Sequence, residues 1–171
     1  MASVGHVIVG LAAGRLWAGR EASAGRLALA MVGFSALALL PDADVVAFAF
    51  GIPYADAFGH RGASHSIVFA GLVGLAVGLI ARLRGHAQPL RLAGLSAVVV
   101  GSHPLLDAMT TGGLGVAWAW PWSAERAFLP WRPIPVSPIG AGFVSARGLK
   151  VALTEVAQLA PLWLWALWPR R

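Results

Sequence analysis

Long apolar segments recur along this 171-residue chain and constrain its fold more than any other feature. A helix needs about 20 mostly apolar residues to cross the hydrocarbon core of a bilayer. Hydrophobic residues make up 58% of the chain and charged residues 12%, whereas a soluble domain carries about a quarter charged residues. We therefore predict one all-α, polytopic membrane domain over residues 1–171, with about five transmembrane or membrane-embedded helices. The predicted segments are 4–18, 27–40, 66–81, 92–109 and 151–168.

The charge distribution predicts an orientation rather than a nucleic-acid surface. The net charge is +6, but the basic residues are dispersed between the apolar segments, so we expect no nucleic-acid partner. Cytoplasmic loops of membrane proteins are enriched in Lys and Arg. If all five segments span, this rule places the N-terminus outside and the C-terminus in the cytoplasm. The residues that decide it are Arg15, Arg20, Arg26, Arg82, Arg84, Arg91, Arg170 and Arg171.

The segment 112–150 is rich in Trp and Pro and predicts an interfacial loop. Proline disfavours a continuous helix, and tryptophan is enriched where the bilayer meets water. We expect this loop to contact membrane lipid, either as a plain anchor or beside a site that admits an amphiphile. The pairs Gly10/Gly14 and Gly74/Gly78 have GxxxG spacing, which allows close helix packing.

Ionisable residues within the apolar segments are few and need a physical reason. Such groups cost several kcal/mol at membrane depth unless they are paired or bound to a metal. Because successive helices alternate in direction, seven of these residues fall near one membrane face although they come from four segments. This convergence predicts a metal or catalytic site. The seven residues are His6, Asp42, Asp44, His60, His65, His103 and Asp107.

Local spacing supports this interpretation. His103 and Asp107 are i and i+4, so one helix face presents both. Ser64 is a candidate cap for the helix that starts near His65, and His60 belongs to the preceding loop. The chain has no cysteine, which excludes a thiolate site. Nitrogen and oxygen ligands suit Zn above all, or Mn or Fe, and seven ligands exceed the need of one zinc, which leaves room for a second ion.

Simpler interpretations stand beside the metal site. A single membrane histidine is more often a hydrogen-bonded packing residue. Asp44 is also a candidate cap for the following segment, and Asp107 a candidate partner for an arginine. Arg61 either binds a substrate anion or extends its charge to the interface.

The motifs together resemble a known family. Taken in order, they resemble the YdjM-like family, small bacterial inner-membrane proteins described as metal-dependent hydrolases and as LexA-binding. One departure is that Gly5 precedes His6, where the family often has a hydroxyl residue. The motifs are His6, LLPDAD at 39–44, HRGASHS at 60–66 and HPLLDAMTTGG at 103–113.

The resemblance implies metal-dependent hydrolysis in the bacterial inner membrane. We expect the metal ligands to be His6, Asp42, His65, His103 and Asp107, and the catalytic residues to be Asp44, His60 and Arg61. A site of this kind activates water and suits phosphate esters or phospholipid-like, amphiphilic substrates. The chain contains neither GxSxG nor HExxH, which disfavours a serine hydrolase and a zincin. The alternatives are a metal or proton transporter and a nonenzymatic membrane partner of a regulator.

Overall fold

A computed structural model describes residues 3–169 and shows an all-helical chain over that range. Three 3-10 segments join the helices, at Leu40–Phe50, Ala63–His65 and Gly140–Phe143. Residues 3–169 contain two isolated β-bridges and no β-strand. Arg170 and Arg171, two of the residues that decide the predicted membrane orientation, lie outside the described residues. The α-helices are α1 (Ser3–Ala18), α2 (Ala24–Leu39), α3 (Ile67–Leu83), α4 (Pro89–Ala108), α5 (Ala146–Gln158) and α6 (Ala160–Leu167).

Two close helix pairs, α1 with α2 and α3 with α4, form the bundle. A Cβ at Gly10 would collide with the backbone of Ser35, and one at Gly14 with the backbone of Met31. Gly74 packs in the same way against α4, where a Cβ would lie 2.7 Å from the Ala93 carbonyl oxygen. The GxxxG pairs are therefore packing residues, as predicted, because only glycine lets the helix axes approach this closely.

The structure supports two membrane spans by length and composition. Ala24–Phe50, which joins α2 to the following 3-10 segment, and Pro89–Ala108 are long and apolar enough. Val4–Ala18 and Ile67–Leu83 are apolar but shorter. A helix of 17 residues extends about 26 Å, slightly less than a hydrocarbon core of about 30 Å. The helical part of the prediction is confirmed, whereas five full spans are not.

The predicted fifth segment is two helices. The prediction of one helix over 151–168 is wrong, because α5 ends at Gln158 and α6 begins at Ala160, with Pro161 in its first turn. Helix α5 also begins at Ala146, so the last residues of the segment 112–150 are helical. The inner face of α5 buries Val151 and Glu155, whereas Leu149 and Leu153 on its outer face are each 60% exposed. The Gly5 N–H donates to Glu155 Oε2 at 2.9 Å, which ties α5 to the start of α1.

Helix ends position the polar residues. Helix α2 ends at Leu39, and the 3-10 segment that follows it has Pro41 at its start. Ser66, rather than Ser64, caps α3: its Oγ accepts the Phe69 N–H at 3.0 Å. The prediction for Ser64 is wrong because its hydroxyl donates to Asp44 Oδ2 at 2.6 Å instead.

Candidate metal centre

All seven polar residues predicted to converge lie at one end of the helix bundle. Helix α1 contributes His6 near its start, and α4 contributes His103 and Asp107 in its last turns. The remainder come from the 3-10 segment after α2 and from the loop before α3, as the alternating helix directions predict. Every histidine in this set is buried.

Four residues form what we call the ligand group: Asp42, His65, His103 and Asp107. Each offers one ligand atom within 4.8 Å of the others. His103 Nε2 lies 3.2 Å from Asp42 Oδ1, and His65 Nε2 lies 3.4 Å from Asp107 Oδ2. Two imidazoles and two carboxylates at this separation match the nitrogen and oxygen ligands that zinc takes in catalytic sites.

His6 lies directly against the ligand group. Its ring stacks on that of His103 with centroids 3.6 Å apart, and its Nε2 lies 3.7 Å from Asp107 Oδ1. Neither ring nitrogen of His6 makes a hydrogen bond, and the same holds for Nε2 of His65 and of His103. Buried polar atoms normally have partners. Three imidazole ε nitrogens without one, all beside carboxylates, are what a cation-binding site presents, and we find that these residues fit a divalent ion.

Hydrogen bonds on the far side of each ring orient the lone pairs. His103 Nδ1 lies 2.7 Å from the Ala38 carbonyl oxygen. Because a carbonyl only accepts, Nδ1 carries the hydrogen and Nε2 presents its lone pair to the ligand group. His65 Nδ1 lies 3.1 Å from Asp44 Oδ2, so that the hydrogen on Nδ1 is held there and Nε2 is the nitrogen left to meet an ion once its own proton is displaced. Such partners of the second nitrogen are typical of metal-binding histidines.

Asp44 orients several neighbours at once. Its two carboxylate oxygens accept from donors in the loop before α3, so it does not cap a helix. With its oxygens committed to these bonds, Asp44 holds His60 and His65 in place. The donors are His60 Nδ1 at 2.7 Å, the Arg61 N–H at 3.1 Å, Ser64 Oγ at 2.6 Å and His65 Nδ1 at 3.1 Å.

The carboxylates determine the charge of His65. Burial alone would lower its pKa, but Asp107, Asp42 and Asp44 surround the ring and together raise the pKa of His65 to about 10. Without a cation, His65 therefore holds a proton at neutral pH. A divalent ion would replace that proton as the positive charge among three carboxylates.

Arg61 is buried against Asp107 rather than open to solvent. Its side chain is 3% exposed, and its Nε lies 3.0 Å from Asp107 Oδ2. Nη1 donates to Thr110 Oγ1 and to the Gly112 carbonyl oxygen, each at 3.1 Å. The backbone of Arg61 has φ of 63°, a left-handed conformation that costs a non-glycine residue roughly 1–2 kcal/mol. This conformation turns its N–H toward Asp44 while its guanidinium reaches Asp107.

A cavity of about 700 Å³ reaches the site from outside the bundle. Asp42, His60, Arg61 and Asp107 are part of its lining. The segment 136–143 within the predicted interfacial loop supplies another part. The loop therefore lies beside the site, as the amphiphile interpretation expects.

Tyr54 is a cavity residue that sequence reasoning missed. A Cβ added at Gly113 would lie 3.0 Å from the Tyr54 hydroxyl oxygen and 2.9 Å from Arg61 Nη1. Gly113 also has φ of 94°. The glycines of the TTGG motif thus leave space for both side chains. Burial raises the pKa of Tyr54, which keeps the phenol protonated. Its place among loop prolines and glycines offered no periodic signal.

Arg126 was also missed. Its guanidinium donates to the carbonyl oxygens of His60 at 2.7 Å, Tyr54 at 2.9 Å and Asp56 at 2.9 Å. It thereby ties the long loop to the turn that precedes α3. Nothing in the local sequence distinguishes Arg126 from an interfacial arginine.

Comparison with known proteins agrees with this constellation of motifs. A sequence model of the family described as "YdjM inner membrane protein" matches residues 1–169. The chain belongs to the YdjM family. It is also similar to "Inner membrane protein YbcI" of Escherichia coli (strain K12), with 45% identity over 130 residues, which are 75% of this chain and 72% of that protein. No solved structure matches.

Membership in the YdjM family confirms the resemblance and establishes an inner membrane protein. It agrees with the apolar composition and with the two spans long enough to cross a bilayer. The His/Asp cluster of this YdjM-family chain lies at one end of those spans, within the matched residues.

Proposed function

We propose that this YdjM-family protein is a metal-dependent hydrolase of phosphate esters, with phospholipid-like amphiphiles as its substrates. One observation carries the proposal. The buried ε nitrogens of His65 and His103 converge without hydrogen bonds beside the carboxylates of Asp42 and Asp107, and these two carboxylates also line a cavity.

The ligand group would hold a divalent ion, zinc in the first place, with Mn and Fe as alternatives. In our proposal His6, whose Nε2 lies 3.7 Å from Asp107 Oδ1, is a further ligand. When bound, such an ion lowers the pKa of water and stabilises negative charge on a phosphate oxygen. A second cluster, Asp44, His60 and His65, also has ligand atoms within 4.8 Å. Since its atoms already hydrogen-bond one another, we assign a single ion to the ligand group and keep the second position as an alternative.

His60 and Asp44 form a dyad suited to moving a proton. His60 Nδ1 donates to Asp44 Oδ1 at 2.7 Å, and the imidazole lines the cavity. Nδ1 therefore keeps its hydrogen, which leaves Nε2 as the basic atom. We propose that His60 Nε2 takes a proton from the attacking water and later gives it to the leaving oxygen, while Asp44 stabilises the charged ring.

Two further side chains orient the phosphate. The protonated hydroxyl of Tyr54 lines the same cavity and donates to a phosphate oxygen in our proposal. Arg61, which the sequence suggested as an anion-binding residue, is a positioning residue here, because its guanidinium is engaged by Asp107 and Thr110. It holds the Asp107 carboxylate in place beside the ligand group through the contact of its Nε with Asp107 Oδ2 at 3.0 Å.

We also propose that the site faces the outer side of the inner membrane, with the N-terminus out and the C-terminus in. Basic residues between α1 and α2, and between α3 and α4, support this orientation by the positive-inside rule. Reporter fusions at both termini test it. A cytoplasmic N-terminus contradicts it.

The test of function uses purified protein in detergent. We expect wild-type protein to contain divalent metal by elemental analysis and to hydrolyse members of a panel of phosphate esters and phospholipids. Asp107→Ala removes both metal and turnover, whereas His86→Ala, which changes a histidine outside the cluster, keeps both. Metal-free protein from metal-replete cells would refute the site.

A transporter is the second candidate, because carboxylate and imidazole groups form a continuous chain from Asp44 through His65 and Asp107 to His6. Bound metal without turnover, together with metal or proton flux into liposomes, would favour it over the hydrolase.

A further inference from the structure

The cavity beside the ligand group is lined by two chemically different sets of side chains. One set consists of the ionisable groups of the site. The other set, which we call the apolar lining, consists of hydrocarbon side chains from two separate segments. These are Val45 and Phe48 of the first 3-10 segment, and Val136, Ile139 and Phe143 of the long loop.

The apolar lining is also partly exposed at the protein surface. Val45 is 40% exposed, Phe48 39% and Ile139 50%. Beyond Phe143 the exposed apolar surface continues along Val144 and Leu149 at the start of α5. In a protein of the inner membrane, exposed hydrocarbon side chains on this scale contact lipid rather than water.

We propose that the apolar lining is a subsite for a hydrocarbon chain, and that it takes one acyl chain of an anionic membrane lipid whose phosphate reaches the ligand group. The inference deepens the proposed function and rests on it. Continuity argues for this occupant: one cavity is lined both by Asp42 and Asp107 of the ligand group and by hydrocarbon side chains that are exposed at the protein surface. A cavity of about 700 Å³ lies within the range of small-molecule sites.

Hydrogen bonds fix the chain just before the part of the apolar lining that holds Ile139 and Phe143. The Ile134 N–H donates to the Met109 carbonyl oxygen at 3.2 Å, and the Val136 N–H donates to Thr111 Oγ1 at 3.2 Å. After this part, Ser145 Oγ accepts the Gly148 N–H at 3.1 Å and caps α5. In our proposal an acyl chain enters from the bilayer along these exposed hydrocarbon side chains.

The test measures how affinity depends on chain length. Propyl phosphate and octyl phosphate are titrated into metal-loaded full-length protein in one nonionic detergent, and metal content is measured in parallel. Each methylene transferred from water to a protein surface improves binding about fourfold. We expect octyl phosphate to bind at least about tenfold more tightly than propyl phosphate after correction for micelle partition, which is measured with protein-free micelles.

Two variants at one position locate the subsite. Ile139→Trp adds bulk to the apolar lining and Ile139→Ser removes hydrocarbon from it, so each should abolish most of the octyl advantage and leave propyl phosphate binding and metal content unchanged. Leu75→Trp, on the exposed face of α3 and outside the cavity lining, is the matched control and should keep the full advantage.

The outcomes separate the two proposals. Equal affinity of wild type for both phosphates, or an octyl advantage that survives both Ile139 variants, overturns the chain subsite while the phosphate site stands. Metal-loaded protein that binds neither phosphate overturns the proposed function and, with it, the subsite.

Discussion

The two ends of the helix bundle place histidines in opposite environments, one buried and one exposed. At one end, four of the five histidines are buried among carboxylates. At the other end, His86 is exposed, its Nδ1 accepts the Gln88 N–H at 3.1 Å, and its ring lies 5.5 Å from that of Trp17. Arg91 lies over the same Trp17 ring at 5.2 Å. A histidine in this chain is therefore informative only through its surroundings.

Desolvation explains the difference. An exposed charge pair contributes little because water already stabilises each charge. A buried charge costs several kcal/mol unless a partner compensates it, and removing that partner is strongly destabilising. The buried end must keep its charges balanced, so changes there should have large effects, whereas changes at the exposed end should have small ones.

The largest effect is expected for Asp107→Asn. This change keeps the size of the side chain but removes a charge that faces Arg61, His65 and His6. Metal affinity should fall by more than the roughly 10- to 100-fold typical of losing an outer partner. Breaking the buried pair with Arg61 should also cost about 3–5 kcal/mol of stability. Equilibrium dialysis and thermal unfolding measure the two effects, and unchanged metal affinity would remove Asp107 from the ligand group.

The pH dependence of metal binding comes next. Because the pKa of His65 is raised to about 10, the ring is protonated throughout the neutral range, and an ion must displace that proton. The proton competes below pH 10 and ceases to compete above it. Apparent affinity should therefore rise about tenfold per pH unit, or about a hundredfold between pH 6 and pH 8. Calorimetry in buffers of different ionisation enthalpy counts the released proton, and a pH-independent affinity contradicts the protonated state.

Asp44→Asn tests whether Asp44 orients the rings of His60 and His65, and it replaces no member of the ligand group. The amide keeps the shape but loses acceptor capacity for His60, Ser64 and His65. Metal affinity should fall roughly 10- to 100-fold, the usual range for a partner of a metal-binding histidine. Glu125→Gln, which neutralises an exposed carboxylate of the long loop, is the matched control and should change nothing. Equal losses in both variants would point to net charge instead.

Tyr54→Phe distinguishes substrate binding from metal binding. Loss of one hydrogen bond to a charged group should weaken inorganic phosphate binding to the metal-loaded protein about tenfold. Metal content and thermal stability should stay at their wild-type values, since Tyr54 contacts the cavity rather than the ligand group. Phosphate affinity equal to that of wild type would remove the phenol from the site.

The sequence was most informative where helix direction and spacing act together. The alternation of α1 to α4 predicted that His6, His65 and Asp107 meet, and the i, i+4 spacing placed His103 beside Asp107. Spacing could not show that Asp42 rather than Asp44 belongs to the ligand group. The directions of the two side chains depend on the helical geometry of the 3-10 segment that carries them. Spacing also could not show the burial of Arg61, which requires a left-handed backbone and the space left by Gly113.

The prediction for the C-terminal segment was less successful for a related reason. Hydropathy over 151–168 averages across a break at Leu159 and conceals the amphipathic character of α5. In a hydropathy average, Glu155 is a single charged residue within an otherwise apolar segment. In the structure it is buried and accepts the Gly5 N–H, so tertiary packing rather than the bilayer accounts for its position.

The smallest effect is expected for His86→Ala at the exposed end. The side chain gives up one hydrogen bond to the Gln88 N–H and its contact with Trp17, both of which water or neighbouring atoms replace. Surface changes of this kind usually alter the free energy of unfolding by less than about 0.5 kcal/mol. Metal content, its pH dependence and phosphate affinity should equal those of wild type. A loss of metal in His86→Ala would mean that the two ends are coupled through α3 and α4, because His86 lies in the turn that joins them. The site would then depend on the whole bundle rather than on the balance of charges at one end.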